Sequence, residues 1–176
     1  MSKKIKIILL AVVVLALAGT LYFLNADINT NKNQVVLEIA ETEVNKITFK
    51  TFYSREAVIT KENNLWKCED VYLKDAFKND IFNSISAIRA IKEIKTYDDL
   101  KAYGLDPANV VVKIETTKGD YEILIGDYNP IEKAYYVKVS NSDSVYLLEP
   151  ESKLNYAFNY DTDAFIEGQK SKYCKK

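Results

Sequence analysis

The chain has 176 residues, of which 48% are hydrophobic and 28% are charged, and its formal net charge is −1. This composition provides enough apolar residues for a core, which excludes wholesale disorder. The absence of histidine excludes Ser-His-Asp and Cys-His catalysis and the usual zinc sites. All 25 acidic residues lie between Asp27 and Glu167, but only 17 of the 24 basic residues do, so this body carries a charge of −8. Nucleic acid is therefore excluded as a partner.

A long apolar run near the N-terminus predicts attachment to a membrane. Residues 7–24 contain no charge, and a helix of this length would span about 27 Å, close to the roughly 30 Å hydrocarbon core of a bilayer. Three lysines precede the run and no basic residue follows it until Lys32, so the positive-inside bias predicts a cytoplasmic N-terminus. We therefore predict a transmembrane helix, a single-pass protein of the cell membrane and an extracytoplasmic body.

A cleaved signal peptide is the alternative interpretation of the same run. Ala16-Leu17-Ala18 has the small-x-small form of a cleavage site after a basic start and an apolar core. The run nevertheless continues apolar past Ala18, and Tyr22 and Phe23 occupy the position of interfacial aromatic anchors. These residues favour retention, and both interpretations place the body on the same side of the membrane.

Composition divides the chain into four segments. Residues 1–24 are the basic start and the predicted transmembrane helix, and residues 25–34 form a polar linker rich in asparagine. Residues 35–167 have the length of one ordinary domain, and residues 168–176 form a basic tail. The linker is expected to hold the extracytoplasmic domain close to the outer surface of the membrane.

Short segments with alternating apolar and polar residues predict two antiparallel meanders. Asn63-Asn64 suits a tight hairpin turn within the first meander, and Gly119 lies in a turn of the second. After a first strand at residues 35–39, the predicted strands cover residues 44–51, 57–61 and 65–68 in the first meander and residues 110–116, 121–125, 134–139 and 144–148 in the second.

Two helices are predicted, one between the meanders and one after them. A stripe of apolar residues at spacings of three and four predicts a helix over residues 76–91 that packs on the sheet, and its members are Phe77, Ile81, Ile85, Ile88 and Ile91. Pro150 fits the first turn of a second helix, which carries Leu154. The predicted fold class is α+β, with an N-terminal transmembrane helix followed by an antiparallel β-meander domain with two packed helices, in the order meander, helix, meander, helix.

The order of several short motifs matches that of a known family. The most specific are Gly104-Leu105-Asp106-Pro107 and Ile125-Gly126-Asp127, and the others are Val44 to Phe49, Leu65-Trp66, Asp75, Tyr135-Tyr136-Val137 and Val145-Tyr146-Leu147. From about Val44 to Ile166 the chain resembles the bacterial family called domain of unknown function 4340. The resemblance implies an N-terminal membrane span and an extracytoplasmic β-rich domain, and for some members an association with auxiliary subunits of gliding-type ABC transporters. It implies no catalytic or binding residues.

Motifs that would carry chemistry are few. Asp161 and Asp163 form a D-x-D pair without the glycine and later glutamate of a calcium loop, so solvated surface is favoured over a metal site. Asp127, Glu132 or Asp143 could supply the paired carboxylates of a glycosidase, but acidic residues are common in loops. The sequence therefore predicts a protein that is not an enzyme and that has no cofactor and no metal.

The two cysteines also lack the company that redox or zinc chemistry requires. Cys68 follows Trp66 in a predicted strand, and Cys174 lies in the basic tail. The favoured interpretation is a buried thiol at Cys68 and a free one at Cys174. Pairing of the two in an extracytoplasmic compartment remains an open alternative.

Thirteen tyrosines are the most unusual compositional feature. Aromatic side chains on an exposed sheet face can stack against sugar rings, and the candidates for such a ligand or partner surface are Tyr121, Tyr135, Tyr136 and Tyr146. Tyrosine is also a good strand former with a polar tip. Alternation along a strand places Tyr135 and Tyr136 on opposite faces, which favours a structural role.

Two functions are predicted from these observations. The first is a non-catalytic accessory or scaffold domain that binds a membrane-protein complex, of a transporter-like or cell-envelope type by the resemblance. The second is an envelope polysaccharide-binding module that uses exposed tyrosines to contact cell-wall glycan. The expected partners are thus the membrane and either a membrane-protein complex or cell-wall glycan. Nucleic acid is not expected as a partner.

Overall fold

Alternating apolar and polar residues form eleven strands in the part of the chain that the computed structural model describes, which is residues 34–51, 55–69, 71–149 and Leu154. The same part contains one α-helix, α1 (Asp75–Ile85), and two short 3-10 helices, Glu41–Glu43 and Leu100–Tyr103. In chain order the strands are β1 (Gln34–Leu37), β2 (Val44–Thr51), β3 (Ala57–Glu62), β4 (Leu65–Cys68), β5 (Val71–Tyr72), β6 (Ile88–Ala90), β7 (Lys92–Ile94), β8 (Val110–Thr116), β9 (Gly119–Asn129), β10 (Ala134–Val139) and β11 (Val145–Leu148).

Nine of these strands form one antiparallel sheet in the order β5-β4-β3-β2-β8-β9-β10-β11-β7. The two predicted meanders are therefore joined edge to edge, through the pairing of β2 with β8. Ile47 lies opposite Ile114 in this pairing, and Phe49 lies opposite Val112. Strands β1 and β6 form a separate two-stranded sheet.

The core lies on one face of the large sheet, beneath α1. Phe49 and Val112 are fully buried on this face, together with Ile81 and Ile85 of the helix. Trp66 of β4 packs against Phe82 of α1 with a ring-centroid distance of 4.7 Å. The helix thus covers the face where the apolar members of each alternating strand collect.

The predicted α+β class is wrong, because the described residues are mostly strand. Of the two predicted helices, only the segment of the first is described in full, and of the second only Leu154 is described. The predicted helix over residues 76–91 ends at Ile85. Beyond it the chain becomes extended, with Ile88 and Ala90 buried and Arg89 exposed in β6. Residues 88–90 also alternate. Pairing of β6 with β1 and of β7 with β11 satisfies the backbone groups of both strands, so tertiary pairing overrides the helical spacing.

Several predicted features lie outside the described residues. These are the transmembrane helix at residues 7–24, most of the linker, the second helix after Pro150, the pair Asp161 and Asp163, Cys174 and the basic tail. Leu154 is described, and its side chain is buried. Within the described residues, no helix has the length and apolar character needed to cross a membrane.

Two ion pairs predict how stability depends on pH. Lys46 donates a hydrogen bond to Glu115, and this bond and the charge of Glu115 raise the pKa of Lys46 above the ordinary value of 10.5. Glu43 raises the pKa of Lys118 in the same way. A raised folded-state pKa stabilises the fold fully below pH 10.5, and this contribution is lost as the pH rises through the folded-state pKa. We expect urea unfolding to show stability falling above about pH 10.5.

The matched control is the double variant Glu43→Gln/Glu115→Gln, which should lose less stability over the same pH range. All other side chains are the same in the two proteins, so the difference between their pH profiles reports the two ion pairs. Both pairs are exposed, and the difference should shrink in high salt because salt screens surface charges. Identical pH profiles for the two proteins would contradict the prediction.

Candidate functional site

The two most specific sequence motifs lie against each other in the fold. The 3-10 helix Leu100–Tyr103 ends at Gly104, which adopts the left-handed conformation with φ of 65°. The backbone of Tyr103 and Gly104 lies beside Gly126 of β9. A Cβ atom on Gly126 would overlap the backbone carbonyl oxygen of Tyr103. Glycine is therefore required at this position because two stretches of backbone approach each other closely.

Asp127 fixes the same junction from the other side. Its Oδ1 accepts a hydrogen bond of 2.9 Å from Nδ2 of Asn109. Its carboxylate also occupies the space that a Cβ atom on Gly104 would enter. The residues Gly104, Asn109, Gly126 and Asp127, called the motif junction below, thus hold the loop Leu105 to Ala108 beside the sheet.

This loop forms one wall of a surface groove of about 390 Å³. The sheet supplies the floor, where Lys50, Val111 and Leu124 lie side by side across β2, β8 and β9. They are on the sheet face opposite to the core residues Val112 and Ile123. The cavity is called the groove below. Eight residues line it: Lys50, Thr51, Leu105, Asp106, Pro107, Ala108, Val111 and Leu124.

The groove combines an apolar floor with charge at its rim. Leu105 is buried, whereas Val111 and Leu124 are partly accessible. Lys50 and Asp106 are both exposed. A cavity of this size and character accommodates one or two apolar side chains, with a polar group fixing their orientation. Lys50 would attract a carboxylate placed beside such a side chain.

The three predicted carboxylates have different surroundings. Asp127 belongs to the motif junction, and Glu132 forms an ion pair of 2.6 Å with Lys92. Asp143 is exposed, and its backbone carbonyl accepts a hydrogen bond from Tyr97. Glu132 precedes β10 and Asp143 follows it, so the strand separates them. In the described part of the chain, no group of three or more histidine, cysteine or acidic residues is placed to hold a metal ion.

The predicted tyrosines do not share one surface. Tyr146 is only 5% exposed, and its hydroxyl hydrogen-bonds that of Ser142 at 2.7 Å. Tyr121 and Tyr135 are half-buried and pack against the main core. Three of the four candidates thus contribute to the folded core, which leaves little of their ring surface for a sugar.

Tyr136 lies on the opposite face of the sheet, as alternation predicts. Its hydroxyl accepts a hydrogen bond of 2.6 Å from Nδ2 of Asn129. Its ring lies 4.7 Å from that of Tyr103, centroid to centroid. Tyr136 therefore helps to seat the 3-10 helix that leads into the motif junction. Polysaccharide binding through these four tyrosines remains a prediction.

The groove itself was not predicted from the sequence. Lys50 and Leu124 lie 74 positions apart, and each is an ordinary outward-facing residue of its own strand. The useful signal was in the motifs, since a Gly-x-x-Pro loop and a glycine within a strand both indicate close backbone contact. The predicted burial of the Cys68 thiol is confirmed, since only 1% of the surface of Cys68 is exposed.

Comparison with known families gives a match to the second half of the chain. Residues 79–167 match the family model described as Domain of unknown function (DUF4340). The match begins within α1 and includes both halves of the motif junction, whereas the resemblance predicted from the sequence began earlier, near Val44. No curated protein and no solved structure matches the chain.

Proposed function

Because the chain belongs to the DUF4340 family, and the motifs that indicated this family build the wall of a groove, we propose that the groove binds a partner protein. The chain then acts as a non-catalytic accessory or scaffold domain in a bacterial membrane complex of the transporter or cell-envelope type. The observation that carries the proposal is the motif junction, which holds one wall of the groove in place.

The shape of the groove favours a polypeptide segment as its occupant. The floor residues Val111 and Leu124 offer a half-exposed apolar surface, where an apolar side chain of the partner would be buried. Lys50 stands in line with them at the rim. The occupant is therefore a short segment with an apolar residue next to a carboxylate. Lys50 fixes its direction, and the apolar floor supplies most of the affinity.

The proposed location is the outer face of the cell membrane. The support for it is in the sequence, where an uncharged apolar run at residues 7–24 follows three lysines. The positive-inside bias of this arrangement places the groove-bearing body outside the cytoplasm. A partner in the same membrane would then meet the groove at a high effective concentration, so moderate intrinsic affinity suffices.

Site-specific photocrosslinking in intact cells tests the groove. A photoreactive residue in place of Lys50 should capture a discrete membrane protein, and the same residue in place of Lys61 should not. Lys61 is also an exposed lysine, located on β3. Adding Leu124→Glu should abolish the adduct, because it places a charge on the apolar floor and repels a carboxylate.

Circular dichroism of the purified Leu124→Glu variant must show an unchanged fold for this result to count. Equal capture from Lys50 and Lys61 would contradict the proposal, and so would capture that survives Leu124→Glu. If the protein is present in the membrane fraction and the photoreactive residue at position 50 forms no adduct, the proposal is also contradicted.

A further inference from the structure

The β9–β10 hairpin extends past the start of its neighbour β8. Val110, the first residue of β8, pairs with Ile125, but β9 continues to Asn129, which pairs with Ala134 of β10. On the other side, Leu148 at the end of β11 pairs with Tyr135 of β10. The apex of the hairpin, residues 130–133, is therefore the turn at this end of the sheet.

The apex displays apolar residues to solvent. Ile131 is 89% exposed, the highest value among the large hydrophobic residues described, and Tyr128 is 44% exposed. Pro130 between them is also exposed. Glycine, proline, asparagine, aspartate and serine dominate such turns, so Ile131 is the unusual residue here. Ile131, Pro130 and Tyr128 thus form a small apolar patch that the described residues leave open to solvent.

Hydrogen bonds hold the apex in this conformation. Oδ1 of Asn129 accepts hydrogen bonds from the backbone N–H groups of Ile131 at 2.9 Å and Glu132 at 3.0 Å. Glu132 also pairs with Lys92 of β7 at 2.6 Å. Ile131 is thus presented outward by a braced turn, so its burial in another environment would require little ordering of the turn.

The apex lies at the end of the body where the chain enters from its N-terminal segment. Glu132 contacts Lys92, which follows β6 after one residue, and Ala90 of β6 pairs with Gln34 at the start of β1. Only residues 25–33 separate Gln34 from the apolar run. Nine residues extend at most about 30 Å in any conformation. This length limits how far Gln34 can lie from a membrane that holds the run.

We propose that the apex of the β9–β10 hairpin inserts into the interfacial region of the lipid bilayer, an inference that rests on the proposed membrane attachment. Ile131 would lie at the boundary between headgroups and acyl chains, with Tyr128 at headgroup level, where aromatic residues are favoured. The ion pair of Lys92 and Glu132 would remain among the headgroups. A single isoleucine binds a bilayer weakly, but attachment nearby gives it an effective concentration on the order of millimolar.

Fluorescence quenching by brominated lipids tests the inference. The full chain carrying Ile131→Trp is reconstituted into liposomes of brominated phosphatidylcholine, and Leu65→Trp serves as the matched control. Leu65 is 56% exposed and follows the β3–β4 turn, at the opposite end of the sheet. The native Trp66 is 3% exposed and provides the same background in both variants.

The added emission of Ile131→Trp should be strongly quenched, and more by bromines near the headgroup than by bromines near the end of the acyl chain. Leu65→Trp should add emission that is not quenched. Liposomes that contain the protein without quenching at Ile131 would overturn this inference and leave the proposed attachment intact. Failure of the chain to incorporate at all would overturn both.

A protein adduct, rather than a lipid adduct, from a photoreactive residue at position 131 in cells would also overturn the inference. In that case the apex would fill a pocket of a partner protein. A lipid adduct at this position, absent from position 65, would support insertion independently of the fluorescence result.

Discussion

Phe82→Ala is expected to lower the free energy of unfolding by about 3–5 kcal/mol, because it opens a cavity between α1 and the sheet. Phe82 is 6% exposed, and its ring packs on that of Trp66. The chain contains one tryptophan, so its emission reports directly on this contact. Urea unfolding should show the lost stability, and the emission of the folded variant should shift to longer wavelength as water reaches the ring.

Leu65→Ala is the matched control for this prediction. Leu65 precedes Trp66 in the same strand, but its side chain is 56% exposed and leaves no cavity when it is removed. We expect a change within about 0.5 kcal/mol and no shift in emission. If the two variants unfold at the same urea concentration, α1 does not pack on β4 as described.

The alternation of apolar and polar residues was sufficient to predict most strands. Strands β4, β8 and β10 begin and end at the predicted residues, and β3 is longer than predicted by one residue. This success has a local cause, since an antiparallel strand with one buried face repeats every two residues. The joining of the two meanders through β2 and β8 was not predicted, because nothing local specifies which strand edges pair.

The helix prediction failed where two periodicities coincide. Ile85, Ile88 and Ile91 have the spacing of a helical stripe. Ile88 and Ala90 equally have the spacing of a strand with one buried face. The edges of β1 and β11 decide between the two by providing hydrogen-bond partners for β6 and β7. Such partners are distant in sequence, so the pattern alone could not predict where α1 ends.

The candidate site was predictable only in part, for a related reason. The sequence predicted turns at both Gly104 and Gly126, and this is right for Gly104 but wrong for Gly126, which lies within β9. The family resemblance that the two motifs carried is confirmed by the match to DUF4340. Their contact with each other depends on the tertiary path that brings Gly104 against β9. The floor of the groove likewise assembles from three strands, and neither Lys50 nor Leu124 carries a local signal for it.

Gly126→Ala is expected to lower the free energy of unfolding by about 3 kcal/mol, the upper end for overpacking, and to lower Tm by roughly 6–12 °C. The added methyl group would overlap the carbonyl oxygen of Tyr103. Because this carbonyl oxygen belongs to the backbone, no side-chain rotation relieves the overlap, and the backbone at Tyr103 must move away from β9. Thermal unfolding followed by circular dichroism measures the lost stability. In the same variant, the photoreactive residue at position 50 should form less adduct.

Two other glycines separate this steric effect from backbone strain. Gly119 has a positive φ of 140° but nothing within 4 Å of an added Cβ atom, so Gly119→Ala measures strain alone. Gly104→Ala would overlap the side chain of Asp127, and its cost should decrease when Asp127→Ala is also present. The cost of Gly126→Ala should not decrease in that background, because the carbonyl of Tyr103 remains. Equal relief of both variants would show that Asp127, and not the close approach of two backbones, determines the motif junction.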